Sequence, residues 1–146
     1  VPKPSFNAAF TQESDFEKLY GGLNDLSWPK SDWTHEAHFA AALYLVRKMG
    51  LAVAKAAMPD IIRAYNQATG VVNDDKSGYH HSITMMSLDV TDKFMAQYSA
   101  NTPLADILAD MMGHEYGHSN WLLKFYTRDT LFSVAARRGW IPPDLG

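Results

Sequence analysis

Thr34-His35-Glu36-Ala37-His38-Phe39-Ala40-Ala41-Ala42-Leu43-Tyr44-Leu45-Val46-Arg47-Lys48-Met49-Gly50 reads as one capped helix, and the fold is built outward from it. Thr34 is the residue type that accepts a hydrogen bond from an unpaired first-turn amide, and Gly50 is a common helix stop. His35, His38, Ala42, Leu45 and Met49 recur at steps of three or four, so they lie on one stripe. That stripe should face a core, which places both imidazoles in its first turn.

The flanking segments repeat the helical pattern. Thr11-Gln12-Glu13-Ser14 begins a short helix carrying Phe16, Leu19 and Tyr20, with Gly21-Gly22 as the expected stop. Leu51–Ala57 favours helix, and Pro59 is expected to open a fresh segment ending near Gly70. Val71–Ser77 reads as a loop, followed by a long helix from about Tyr79 to Tyr98 with Ile83, Met86, Val90 and Phe94 on its apolar side. Thr102 and Pro103 are expected to cap and open a helix over 104–112. After Gly113 come Trp121, Phe125, Tyr126, Phe132 and Trp140, then Pro142-Pro143, which suggests short helical pieces wrapped around the rest.

No alternating strand pattern with hairpin turns is present. The expected fold is therefore all-α: one domain over 1–146, an antiparallel bundle of four or five main helices with an irregular aromatic C-terminal segment. A chain of 146 residues is long enough for one continuous core.

Composition narrows the partners. With 13 Lys+Arg against 16 Asp+Glu the net charge is -3, which provides no basic stripe for nucleic acid or an anionic membrane. There is no cysteine, so disulfides, thiolate metal sites and cysteine nucleophiles are excluded. No apolar run reaches the roughly 18 residues of a membrane span. Val1-Pro2-Lys3-Pro4-Ser5 has neither an initiator methionine nor a signal-peptide core, so a trimmed start and a cytoplasmic location are expected.

If successive helices alternate in direction, the six histidines converge toward one end. His35, His38 and His80 are then candidate ligands for a divalent transition metal, Zn, Fe, Ni or Cu, since neutral imidazole binds all four. Such a metal would activate water or polarise a small polar substrate. Asn66 or Thr84 could orient a ligand, and Glu36 could serve as general base if its side chain turns toward the site. Arg63, Tyr65 and Tyr79 are candidate substrate contacts. The alternative is a non-catalytic module in which the same histidines bind a small anionic molecule.

His114-Glu115-Tyr116-Gly117-His118 also satisfies the H-E-x-x-H pattern of zinc peptidases. Gly113 and Gly117 weaken the helix that pattern needs, and no downstream histidine or glutamate supplies a third ligand. A glycine-punctuated loop is the competing reading. Trp121, Phe125 and Trp140 could equally cover a partner or a second copy, or complete the chain's own core.

Trp33-Thr34-His35 with His38, Arg63-x-Tyr65-Asn66, and Gly78-Tyr79-His80 followed by Ser82-Ile83-Thr84 resemble segments of a functionally unassigned group of small bacterial all-helical proteins. Tyr126-Thr127-Arg128, Leu131-Phe132-Ser133 and Ala136-Arg137-Arg138-Gly139-Trp140 extend the resemblance to the C-terminus. It implies an all-helical fold and no particular activity. His81, His114 and His118 fall outside its shared positions.

Overall fold

A computed structural model describes residues 9–145, in which every regular element is helical. Five helices form the body: α1 (Glu13–Asn24), α2 (His35–Met49), α3 (Leu51–Ala68), α4 (His81–Met95) and α5 (Leu104–Gly113). Two short ones, α6 (Arg128–Leu131) and α7 (Val134–Arg138), follow 3-10 turns at Glu115–Gly117 and Trp121–Lys124. The opening segment Val1–Ser5 lies outside the described residues.

Helix α2 is the hub, packed against α1, α3, α4 and α5. Its start is fixed as the sequence predicts, with the Thr34 hydroxyl accepting the Ala37 amide at 3.1 Å. Ala40, Ala41 and Ala42 are all buried, so small side chains there let neighbouring helices approach from several directions. Gly50, at φ 84°, is the sole residue between α2 and α3.

Four helices depart from the sequence reading at their boundaries. Helix α3 runs unbroken through Pro59, although proline removes one amide donor at a cost of about 3 kcal/mol in a helix interior. Ala54, Met58, Pro59 and Tyr65 are buried on this helix, and keeping that face in register with the core outweighs the lost bond. Helix α1 continues past Gly21-Gly22 because Gly22 is a packing position, where an added Cβ would lie 3.1 Å from the Trp28 side chain. Helix α4 is shorter than expected at both ends, since His80 is its cap and the chain turns after Met95. Pro103 likewise takes the cap position of α5, one residue later than Thr102.

The C-terminal segment is fastened by polar pins. Ser82 Oγ on α4 donates to the Gly139 carbonyl at 2.7 Å and accepts the Ile141 amide at 2.9 Å. Tyr126 donates its hydroxyl proton to the Ile141 carbonyl at 2.6 Å, and Asp144 accepts from Thr127 and Thr130 at 2.7 Å each. Of the aromatic anchors, Trp121 is buried and Phe125 packs against the core, while Trp140 is exposed. Two of the three therefore complete the protein's own core.

Candidate functional site

The histidines do not gather. His35 and His38 share one cavity, whereas His80 faces the C-terminal segment and His114 packs edge-on against Phe94 in the last turn of α4. His80 and Phe94 are separated by about 21 Å along α4 at 1.5 Å per residue. Helix α5 does return toward His35, but the residue it delivers is Tyr116. His35 Nε2 donates to the Tyr116 carbonyl at 2.7 Å.

The cavity beside His35 and His38 measures about 330 Å³. Phe39 of α2, Ile83 of α4, Trp121 and Leu122 supply apolar walls, and Ser87 and Ser119 supply hydroxyls. Its rim depends on the 114–124 segment folding back onto α5, where a Cβ on Gly117 would collide with the Met112 carbonyl. Glycine is required there by close backbone approach.

Both imidazoles are held in a defined tautomer, because a carbonyl oxygen can only accept. His38 Nδ1 donates to the Thr34 carbonyl at 2.7 Å, leaving Nε2 as the bare nitrogen. The same logic leaves Nδ1 bare in a neutral His35 ring. Trp33 stacks on His38 with centroids 3.8 Å apart and braces it from outside the cavity. His38 is surface-exposed, its ring meeting solvent through the cavity while neighbouring protein crowds it on the other sides. Desolvation, aided by neighbouring His35 and opposed by the Thr34 bond, pushes its pKa down to about 4. At neutral pH this ring is an uncharged acceptor.

His80 is engaged differently. Its Nδ1 accepts the Ile83 amide at 3.1 Å as the cap of α4, and its Nε2 donates to the Leu131 carbonyl at 2.6 Å. Both ring nitrogens are thus spent on the fold, and burial holds its pKa below the ordinary histidine value. Thr84 donates to the His80 carbonyl at 2.9 Å and Asn66 donates to Asn73 at 3.0 Å, so each is tied into local structure rather than brought to the cavity. Among the described residues no group of three or more His, Asp or Glu side chains is arranged to hold a metal ion.

Glu36 is buried at 9 % exposure and is not part of the cavity wall. Desolvation raises its pKa to about 7, and no described residue hydrogen-bonds its carboxyl. Tyr65 is fully buried with its hydroxyl on the Trp28 carbonyl at 2.6 Å. Arg63 and Tyr79 do meet, the guanidinium carbon 4.3 Å from the ring centroid, but in a separate cleft against the 73–75 loop and α7.

The H-E-x-x-H string spans the end of α5 and a 3-10 turn, so its histidines are not one α-helical turn apart. His114 Nδ1 donates to the Asp110 carbonyl at 2.6 Å, and Glu115 pairs with Lys124 at 3.4 Å. The turn gives Tyr116 its contact with His35, and its glycine is the signal of that fold-back.

Comparison with known family models, characterised proteins and solved structures gives no match to this chain. The functional reading therefore rests on the cavity itself. Ser87, Ser119 and Leu122 were not legible as site residues: Ser87 sits one turn beyond Ile83 on α4, but nothing local marks a loop serine such as Ser119. No helix of the described residues is long and apolar enough to cross a membrane.

Proposed function

We propose that the protein binds a small, largely apolar molecule bearing a hydrogen-bond donor in the His35–His38 cavity. The observation carrying this reading is the bare Nε2 of His38, locked by the Thr34 carbonyl in an apolar-walled cavity and uncharged at neutral pH. Such a nitrogen rewards a hydroxyl or N–H donor, and no cationic side chain lines the cavity to favour an anion. Ser87 and Ser119 offer the second polar contact. Phenol and toluene, similar in size but carrying a hydroxyl and a methyl group respectively, form the test pair, read by calorimetric titration. Phenol is expected to bind about three- to tenfold tighter, the worth of one net hydrogen bond, and the preference should vanish in His38→Phe. Equal binding of the two by the wild type would overturn the reading.

A second reading is favoured by the orientation of both rings by backbone carbonyls, the arrangement that commonly positions metal-bound histidines. His35 and His38 would hold one divalent transition metal as two nitrogen ligands, leaving coordination positions open toward the cavity. The metal would supply Lewis-acid polarisation of a bound polar group. Calorimetric titration with Zn(II) or Ni(II) should then give one equivalent in the wild type, lost in His35→Ala and in His38→Ala but retained in His114→Ala. Absence of saturable binding would remove this reading and leave the first standing.

A further inference from the structure

The cleft between α3, the 73–75 loop and α7 is distinct from the histidine cavity, and it collects three guanidinium groups. Arg63, Arg137 and Arg138 line it together with Asp74, Asp75 and Tyr79, around about 220 Å³ of space. The two carboxylates of the cleft are already engaged. Asp75 receives Arg138 in a bidentate pair at 2.7 and 2.8 Å. Asp74 accepts the amides of Lys76 and Ser77 at 2.9 Å each and the Ser77 hydroxyl at 3.1 Å, which closes the loop on itself.

Arg63 and Arg137 are left with most of their donors unspent. Arg137 uses a single terminal nitrogen, on the Gly78 and Tyr79 carbonyls at 3.0 and 3.3 Å. Those bonds orient its guanidinium without neutralising it, although its field reaches Asp74 and helps lower that carboxyl's pKa. The Arg63 guanidinium carbon sits over the Tyr79 ring, 4.3 Å from its centroid, and Arg63 makes no side-chain hydrogen bond among the described residues. Its ion pair with Asp60 is long, 3.8 Å, and the Asp60 side chain is 91 % exposed, so solvent screens it. Tyr79 is in turn fixed, its amide bonded to Asn73 at 2.9 Å and its hydroxyl to His81 at 2.8 Å. Two pre-oriented guanidiniums with free N–H forks beside a small cleft are the chemistry that recognises a planar or tetrahedral oxyanion.

We propose that this cleft binds the phosphate or carboxylate group of a small molecule, with Arg63 and Arg137 as its two donors. The cleft, about 220 Å³, has room for such a group and for part of the molecule that carries it. This site does not depend on the histidine cavity.

The test is an NMR titration of the labelled protein with inorganic phosphate and, separately, with acetate, each against chloride at constant ionic strength. Saturable shifts are expected at the Tyr79 amide and the Arg137 side chain with at least one of the two anions. Saturation by phosphate alone identifies a phosphate-bearing ligand and by acetate alone a carboxylate-bearing one. Arg63→Gln, at an exposed position, should keep the fold and weaken that binding at least roughly tenfold, whereas His38→Ala should leave it unchanged. Arg137→Lys, which retains a donor for the two carbonyls, should weaken it as well. Shifts no larger than those in chloride, or the same affinity in a folded Arg63→Gln variant, would overturn the proposal.

Discussion

At the start of α2, His35 and His38 each spend one ring nitrogen on a backbone carbonyl and keep the other uncommitted beside a cavity. At the start of α4, His80 occupies an equivalent capping region, is more deeply enclosed, and spends both nitrogens, one on its own helix and one on the C-terminal segment. The difference separates a histidine that is available from one that is structural. The direction of the pKa shift does not distinguish them, since desolvation lowers the pKa of both rings although His80 is buried and His38 exposed. What distinguishes them is the count of ring nitrogens already satisfied, because a metal, a substrate proton or a ligand donor needs a free lone pair.

Deleting each ring and measuring stability separates the two roles. His80→Ala removes two hydrogen bonds and strands a buried Leu131 carbonyl, so it should cost about 3 kcal/mol by denaturant unfolding. His38→Ala, which loses one local bond and a partly solvated ring, should cost under about 1 kcal/mol. A reversed order would mean that the α2 histidines are the structural pair.

Glu36 sharpens the contrast within α2 itself. Its carboxyl is buried and its pKa is raised from 4.5 to about 7, so the folded state favours the protonated form. The stability penalty is absent below about pH 4.5, grows as pH rises toward 7 and is complete above it. Glu36→Gln should therefore stabilise the protein by about 2 kcal/mol at pH 8, with the gain vanishing near pH 4. A gain independent of pH would show that charge is not its source.

His38, two residues on from Glu36, has the opposite sign. Its pKa falls from 6.5 to about 4, so its contribution is fully present above pH 6.5 and is lost as pH falls toward 4. The smallest effect to look for is spectroscopic: the His38 Cε1–H resonance should stay flat between about pH 8 and about pH 5 and move only near 4. Titration near the ordinary histidine value would place the ring in open solvent and remove the uncharged acceptor from the cavity.

The helices and their caps follow from local rules, which is why so many were readable. Thr34 as cap and the all-α class depend on residues within a turn or two of one another. The expected core stripe of α2, in contrast, holds only at Ala42 and Leu45, with His38 and Met49 exposed because neighbours pack on a broader face through Phe39, Leu43 and Val46. The misread boundaries are those where a distant partner overrides local preference. Pro59 stays helical because the Ala54–Tyr65 face is buried in the core, and Gly22 stays helical because Trp28 packs on it.

The candidate site shows the same division. Local pattern and composition place two imidazoles in the first turn of a core-facing helix and restrict any metal to nitrogen and oxygen ligands. The free nitrogen of His38 is fixed locally by the Thr34 carbonyl, whereas those of His35 and His80 are settled by packing between distant segments. His35 is oriented by a carbonyl 81 residues away and His80 by one 51 residues away, partners that no local pattern predicts. Hydrogen-bond satisfaction of a buried ring is a property of everything packed around it, whereas helix formation is set largely by the residues within the helix.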